Sequence, residues 1–367
     1  MRLISIKVLR EGMVLGRTIW NEAGHPLLQK GVVVSEGIIK RLKQLNVQYM
    51  YIDDQISSGI EIEETVPPAV RNKTVAKIEE SFKTLKGLKT SDVSFVLDKQ
   101  SKALTSIVTQ LMDMILNSEE ILTVLTDAYL YDEYLYQHSF QVTLYSIAIA
   151  RELGYSSNDL RLIGIGAMLH DVGKLQISQS ILLKPDRLTN EEFEEMKLHT
   201  RYGFDILRNL HSVSLLVAHC AFQHHERLDG SGYPRGLVDY EIHPYAKIIA
   251  VADVFDAVTS NRVYREKMLP SQGIDILEAG SGTIYDKRIV EALKRTIVHY
   301  PNGTILRLKD GRRGVVAKQN LKSPTFPLLR IFEENGEIIS ATYEIDLLEN
   351  PTVIIDRVET EYVTHIE

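Results

Sequence analysis

The sequence predicts a mainly α-helical protein, with a central all-α domain flanked by two small β-rich modules. Apolar residues recur at helical spacing through most of residues 95–299. Short strand-like stretches separated by turn-forming residues occupy residues 1–57 and 300–367. A stretch with several glutamates, two prolines and one charged amphipathic helix, residues 58–94, is predicted to link the first module to the helical domain.

The composition is that of an ordinary globular protein. Of the 367 residues, 44% are hydrophobic, which is enough apolar content for sizeable cores. The net charge of −7 argues against non-specific binding to nucleic acid polymers or anionic membranes. A single cysteine, Cys220, excludes an intramolecular disulfide. Neither a signal-peptide core nor the ~20 apolar residues of a membrane helix is found, so we expect a cytoplasmic protein.

The N-terminal module begins with alternating apolar residues at positions 3–8, 13–20 and 27–34, which predict short strands. Ser35 is placed to cap a short helix over Gly37–Leu45. Val47–Ile52 is predicted as a closing strand. This module carries no residues at a spacing that indicates chemistry.

The helical domain contains nine stretches with helical periodicity, and two of them start with capping boxes, Ser156 with Asp159 and Thr189 with Glu192. The predicted helices are Ala103–Leu116, Ile121–Ala128, Glu133–Leu153, Ser157–Leu169, Glu191–Leu210, Ser214–Arg227, Tyr245–Asn261, Ser271–Glu278 and Asp286–Thr296.

The C-terminal module returns to short apolar stretches. They include Thr304–Leu308, Gly314–Ala317 and Leu328–Phe332, and turn signals at Asp310-Gly311 and Asn335-Gly336 separate them. We predict a small β-barrel-like module.

The stretch with the clearest chemical character is His170-Asp171-Val172-Gly173-Lys174, which follows an apolar helix. Neighbouring side chains diverge on a helix or a strand, so His170 and Asp171 can reach one point only where the backbone turns, and Gly173 is expected to supply that turn. An imidazole and a carboxylate at a helix end suit a metal ion. Alternatively, Asp171 only orients His170, or both are solvated.

Other residues favour the metal. Asp253 lies within the apolar helix around Ile248–Ala252, where a carboxylate without a partner would cost several kcal/mol to bury. A histidine on an apolar face, such as His138, can instead be a satisfied core residue. Mixed nitrogen and oxygen ligation suits transition metals. Seven candidates exceed the needs of one ion, so two ions with Asp171 bridging are expected. The candidates are His138, His170, Asp171, His199, His224, His225 and Asp253.

The motifs resemble those of the HD-GYP domain, a branch of the HD metal-dependent phosphohydrolases that cleaves cyclic di-GMP. The resemblance spans about residues 132–298 and rests on these stretches: His170–Lys174, Leu183-Lys184-Pro185 with Leu188-Thr189, His224–Pro234, Phe255–Tyr264 and Gly280–Thr283. The long stretch from His224 to Pro234 is very specific. The resemblance implies an HD-type helical fold and the same seven metal ligands.

The resemblance also implies substrate contacts. Lys174 matches a lysine on the scissile phosphate, Tyr233 belongs to the Gly-Tyr-Pro loop, and Arg262 matches an arginine that binds the dinucleotide. Arg265 replaces a frequent lysine, and we place Lys184 at the pocket rim. Some members hold a third metal through a glutamate; the corresponding residue here is Tyr134, so we expect two divalent ions. Iron or manganese is favoured over zinc, nickel or magnesium.

The expected reaction is hydrolysis of the 3′–5′ phosphodiester of cyclic di-GMP by a metal-bridging hydroxide, giving pGpG and in a further step GMP. Lys174 and Asp171 are the expected catalytic residues. Asp256 is expected to orient a ligand or pair with Lys174, while Glu226 either hydrogen-bonds a ligand histidine or shapes the loop. The alternatives are a catalytically weak cyclic di-GMP receptor, or a hydrolase for cyclic GMP-AMP or another nucleotide. The amphipathic helix in residues 58–94 suggests a homodimer.

Overall fold

The computed structural model describes most of the chain. The residues described are 1–20, 26–45, 47–62, 66–85, 87–117, 134–184, 186–260, 267–320 and 323–363. The predicted helix Ile121–Ala128 lies outside them.

The N-terminal module contains a small antiparallel sheet and one helix. The strands are β1 (Arg2–Ser5), β2 (Val14–Leu15), β3 (Ile19–Trp20), β4 (Pro26–Leu28) and β5 (Tyr49–Asp53), and the helix is α1 (Glu36–Gln44). β5 lies between β1 and β2, while β3 pairs with β4. Ser35 caps α1 by accepting a hydrogen bond from the N–H of Ile38, as predicted. Ile4, Leu42 and Ile52 are buried between sheet and helix.

The middle of the chain is helical, and both predicted capping boxes, at the starts of α5 and α7, are confirmed. The helices are α2 (Pro68–Lys83), α3 (Thr90–Asn117), α4 (Tyr134–Glu152), α5 (Ser157–Leu169), α6 (Gln179–Leu182), α7 (Asn190–Leu207), α8 (Leu215–Gln223), α9 (Pro244–Thr259), α10 (Pro270–Ala279) and α11 (Lys287–Thr296). A 3-10 helix, Val172–Gln176, follows α5 directly.

The segment predicted as a linker with an amphipathic helix contributes to the core of the helical domain. Ile78 and Phe82 of α2 and Leu97 of α3 are buried in the same apolar cluster as Phe140 of α4. α3 already begins at Thr90, so the last residues of the predicted linker, 90–94, are helical. The predicted boundary at residue 95 therefore does not separate two cores. Burial of apolar side chains has overridden the polar local composition here.

The C-terminal module is a five-stranded antiparallel sheet. Its strands are β6 (Ile305–Leu308), β7 (Arg313–Lys318), β8 (Leu328–Glu334), β9 (Glu337–Asp346) and β10 (Ile355–Val358). The strand order is β10-β6-β7-β8-β9, and among the described strands β9 and β10 are not paired with each other. The prediction of a β-rich module is confirmed, whereas closure into a barrel is not observed in the described part.

The two terminal modules contact each other. The N–H groups of Leu3 and Ser5 donate to the carbonyls of Gly303 and Thr360, at 3.0 and 2.8 Å. Arg2 is 2% exposed and joins the Asp54 carboxylate, at 2.6 Å, to the backbone of the C-terminal module. Nothing in the local sequence pattern predicts this contact. Within the described residues, no helix combines the length and the apolar character needed to cross a membrane.

Candidate metal centre

Five helices bring imidazoles and carboxylates to one buried point. His138 lies on α4, His199 on α7 and Asp253 on α9, while His170 caps the C-terminus of α5. Asp171 follows His170 at the start of the 3-10 helix, and His224 and His225 follow α8. All seven side chains predicted as ligands lie inside the helical domain, and six of the residues are buried; His225 keeps part of its surface.

Ligand atoms in this cluster form two groups that share Asp171. One group contains Asp171, His199, His224 and His225, and the other contains His138, His170 and Asp171; within each, the ligand atoms lie within 4.8 Å of one another. Oδ1 of Asp171 faces Nε2 of His199 at 3.5 Å, and Oδ2 faces Nε2 of His170 at 3.3 Å. The two oxygens of one carboxylate are thus directed to two different sets of imidazoles.

Asp253 belongs to neither group but contacts a member of each. Its Oδ1 lies 3.1 Å from Nε2 of His138, and its Oδ2 lies 3.8 Å from Nδ1 of His225. The carboxylate inside the apolar α9 helix therefore has imidazole partners, as the cost of burying it alone requires.

Backbone carbonyls orient three of the imidazoles. Nδ1 of His170, His199 and His224 lies 2.6, 2.6 and 3.0 Å from the carbonyl oxygen three residues earlier. An imidazole that donates from Nδ1 to a carbonyl presents the lone pair of Nε2, which is the atom directed to the centre. These carbonyls were not predicted as functional groups. For His170 and His224, the position at the end of a helix is the signal that could have found them.

His138 is oriented by a carboxylate instead. Its Nδ1 lies 2.7 Å from Oδ2 of Asp256, and Oδ1 of Asp256 accepts a hydrogen bond from the hydroxyl of Ser260 at 2.8 Å. Of the two partners expected for Asp256, the structure shows the ligand histidine rather than Lys174. A carboxylate behind an imidazole fixes the ring and increases its basicity.

The electrostatics keep the carboxylates charged and most imidazoles neutral. Burial alone would raise the pKa of Asp171, but Lys174 and His170 outweigh it and hold that pKa well below its ordinary value. Burial lowers the pKa of His199 to about 4 and of His225 to about 3. For His138 burial is outweighed by Asp253 and Asp256, which raise the pKa to about 9. Neutral imidazoles and ionised carboxylates are the forms that ligate metals.

Unsatisfied polar atoms at the centre fit metal ions. Nε2 of His170 and Oδ1 of Asp171 are buried and make no hydrogen bond with the described residues. Leaving such groups unpaired costs about 1–3 kcal/mol each, and native structures rarely do so without a reason. Nε2 of His170 lies 3.3 Å from Oδ2 of Asp171, and Oδ1 of Asp171 lies 3.5 Å from Nε2 of His199, so a cation bound to each pair would give both unsatisfied atoms a partner. The donor set, imidazole nitrogen with carboxylate oxygen, suits divalent metal ions.

The two lysines predicted to contact substrate differ in their surroundings. Nζ of Lys174 lies 2.5 Å from Oδ2 of Asp171, and its side chain is 20% exposed, so its charge lies at the mouth of the centre. Nζ of Lys184 is paired with the carboxylate of Glu192, at 2.6 and 2.8 Å from its two oxygens. The substrate role of Lys184 stays a prediction.

The Gly-Tyr-Pro loop places Tyr233 against the ligands. The ring of Tyr233 stacks on the ring of His225, with 4.6 Å between centroids, and its N–H donates to the carbonyl of His225 at 3.1 Å. A Cβ on Gly232 would lie 2.4 Å from the backbone nitrogen of Arg227, so only glycine fits there.

Glu226 stabilises the Gly-Tyr-Pro loop through hydrogen bonds to its backbone. Its carboxylate is buried and accepts hydrogen bonds from the N–H groups of Arg235, at 2.8 Å, and Leu237, at 2.9 Å. Of the two uses predicted for Glu226, these contacts support shaping the loop rather than orienting a ligand histidine.

We expect Glu226→Gln to raise KM and to leave the metal content unchanged. The amide keeps only one acceptor oxygen, so one of the two loop N–H groups loses its partner, at a cost of about 2 kcal/mol. Kinetics and metal analysis of the same preparation would check this. Glu349→Gln, on an exposed carboxylate of the C-terminal module, serves as the control. Loss of bound metal would show instead that Glu226 acts on the ligands.

Several predicted residues lie outside the described part of the chain. Arg262 and Arg265 fall in the undescribed stretch 261–266, and the side chain of Tyr134 is likewise not described. Their assignments, and the expectation of two rather than three metals that depends on Tyr134, stay predictions.

Two family models match the chain, one in the helical domain and one in the C-terminal module. Residues 111–289 match the family described as HD domain, and residues 305–364 match a KOW domain associated with HD domain. A cyclic di-GMP phosphodiesterase of Pseudomonas aeruginosa is 30% identical over 356 residues, which cover 90% of this chain and 85% of the relative.

Two further relatives match over shorter stretches. A cyclic di-GMP phosphodiesterase of Thermotoga maritima is 39% identical over 65% of this chain and 64% of its own length. A 3′3′-cGAMP-specific phosphodiesterase of Vibrio cholerae, also 39% identical, aligns over 45% of this chain and 36% of its own length.

The helical fold and the paired histidine–aspartate groups define a protein of the HD-domain class. Within that class, the His224–Pro234 motif and the relatives decide the family. The chain belongs to the HD-GYP family.

Proposed function

We propose that this protein is a metal-dependent phosphodiesterase that hydrolyses a 3′–5′ phosphodiester bond of cyclic di-GMP to give linear pGpG, with further hydrolysis to GMP. The observation that carries the proposal is the position of Asp171, whose carboxylate belongs to both groups of ligand atoms and lies beside Lys174. Two cation positions sharing one carboxylate are an arrangement used for in-line displacement at phosphorus.

In this proposal, the seven residues found at the centre hold two divalent cations. His199, His224 and His225 would hold one cation and His138 and His170 the other, with Asp171 available to both and Asp253 in contact with a member of each group. Bound cations supply Lewis acidity and lower the pKa of water from 15.7 towards ~7. Iron or manganese fits the mixed donor set.

The reaction adds water across one phosphodiester bond of the ring. The oxygen of water forms a bond to phosphorus, the bond from phosphorus to the 3′ oxygen breaks, and this oxygen leaves with a proton as a hydroxyl group. Negative charge increases on the phosphate oxygens as the new bond forms. Lys174, fixed by Asp171 and only 20% exposed, is placed to neutralise this charge.

We expect Lys174→Met to lower kcat by about 10²–10³-fold, because one preorganised charge of this kind is worth that much in other enzymes. Bound metal should stay at the wild-type level, since Lys174 is not a ligand. Steady-state kinetics with metal analysis would check both values, and Lys174→Arg, which keeps the charge, should recover part of the rate. Equal loss of metal and rate would contradict this role.

The function is tested by a product assay. Protein purified without oxygen and supplied with Fe²⁺ or Mn²⁺ is incubated with cyclic di-GMP, and the nucleotides are separated by chromatography. We expect pGpG, followed by GMP. Tight binding of cyclic di-GMP without any product would contradict the proposal and favour a receptor.

A second candidate substrate is 3′3′-cyclic GMP-AMP, which the similarity to the Vibrio cholerae relative supports. The two dinucleotides differ in one base and share the phosphodiester, so the metal centre alone does not distinguish them. Competition between the two substrates in one assay, with kcat/KM for each, would decide between them.

We further propose that residues 95–299 carry catalysis together with α2, and that the modules at 1–57 and 300–367 act as one regulatory body. The shared core of α2 and α4 and the contacts of Leu3 and Ser5 with the C-terminal module support this division.

A further inference from the structure

An aromatic and cationic surface lies next to the metal centre. We define the aromatic rim as Phe193, Lys197 and Tyr233. Nζ of Lys197 lies 5.0 Å from the ring centroid of Phe193 and 5.7 Å from that of Tyr233. The two rings meet edge to face with 6.2 Å between centroids. One ammonium group thus stands near two aromatic faces.

The aromatic rim lies next to two of the candidate metal ligands, His199 and His225. Tyr233 stacks on His225 and meets His199 edge to face, with 6.4 Å between centroids. Phe193 and Lys197 lie on α7, the helix that carries His199. A nucleotide whose phosphate is bound at the metal centre would therefore have its sugar and base close enough to contact the aromatic rim.

Packing does not account for the aromatic rim. Phe193 is 44% exposed, which leaves much of a large apolar ring in water. A ring in the core would be almost fully buried, as Phe140 and Phe255 are in this domain. Exposed aromatic rings with a cation beside them are suited to stacking on flat heteroaromatic ligands.

We propose that the aromatic rim is the base-recognition site of the substrate: a guanine stacks on the exposed ring of Phe193 and meets Tyr233 edge to face, and Lys197 donates to its O6 and N7. This inference rests on the function proposed above and names the base that the centre prefers. Guanine presents two acceptors on this edge, whereas adenine presents one acceptor and an amino donor. An ammonium group only donates, so it favours guanine.

The ion pair of Lys197 with Glu194 leaves the ammonium group able to bind a base. Nζ forms an ion pair with Glu194 at 2.6 Å, but the Glu194 side chain is 69% exposed. Exposed ion pairs are screened by water and contribute little. An ammonium group also has three donors, so a base and a carboxylate can be bound together.

The test compares Lys197→Met with the wild-type protein on cyclic di-GMP and on bis(p-nitrophenyl) phosphate, a phosphodiester without bases. We expect kcat/KM for cyclic di-GMP to fall about tenfold, mainly through KM, because one base contact of this kind is lost. Hydrolysis of bis(p-nitrophenyl) phosphate and the metal content should stay within twofold. Phe193→Leu should show the same pattern.

The chain offers a matched control. Phe95 and Lys99 on α3 repeat the same spacing, with Nζ of Lys99 at 4.1 Å from the ring of an exposed Phe95, and α3 supplies no ligand. Lys99→Met should leave both substrates unaffected. The inference is overturned if Lys197→Met changes kcat/KM for cyclic di-GMP less than twofold, or lowers kcat/KM for both substrates equally. A wild-type protein that cleaves only bis(p-nitrophenyl) phosphate would refute the proposed function itself.

Discussion

Asp171→Asn is expected to remove bound metal and phosphodiesterase activity together. The substitution keeps the shape of the side chain but replaces a charged acceptor by an amide, at the one residue common to both groups of ligand atoms. Both proposed cation positions should weaken at once, whereas a ligand of a single position, such as His199, should affect one. We expect a loss of kcat on the order of a thousandfold.

Elemental analysis and turnover, measured on one preparation, would check this expectation. Asp239→Asn is the matched control, because Asp239 is an exposed carboxylate paired with Lys247 and lies outside both groups. The control should retain metal and rate. If Asp171→Asn kept both metals and activity, the bridging role would be wrong.

Gly173→Ala is expected to destabilise the fold by about 3 kcal/mol and to disturb the centre with it. A Cβ at this position would lie 1.9 Å from the carbonyl oxygen of His199 and 2.4 Å from the backbone nitrogen of Gly203. Both atoms belong to the backbone of α7, so neither can rotate away. Relief requires α7 to move relative to the 3-10 helix, which displaces His199 from Asp171.

Denaturant unfolding and metal content of Gly173→Ala would be compared with those of Gly37→Ala. Gly37 lies in α1, and a Cβ there would meet only the Ser35 hydroxyl, at 3.9 Å. Replacing a helical glycine by alanine at such an open position stabilises by up to about 1 kcal/mol. Equal stability of the two variants would contradict the proposed close packing of α7.

The convergence of the ligand candidates could be predicted in part from sequence because several of them have a local signal. His170 and His224 follow apolar helices, and Asp253 is a charge within one. A buried charge needs a partner, so these positions point to one another without any knowledge of the fold. The helix starts at Ser156 and Thr189 were predictable for a similar reason, since a capping box is contained in four residues.

Other features depend on contacts between distant residues. The sequence suggests that Gly173 supplies a turn. The structure shows that a glycine is required there because the backbone of α7, some thirty residues later, leaves no room for a Cβ. Likewise α2 looks like part of a linker until Ile78 and Phe82 are seen in the core of the helical domain. No local pattern carries this information, because burial against a partner element decides both cases.

The central claim, a two-cation centre that hydrolyses cyclic di-GMP, is tested most directly by titrating metal into chelated protein. Cyclic di-GMP hydrolysis and bound Mn²⁺ or Fe²⁺ are measured at each addition. We expect no pGpG without metal and a rate that reaches its plateau only when two equivalents per chain are bound. Full activity at one equivalent, or hydrolysis by the metal-free protein, would contradict the claim.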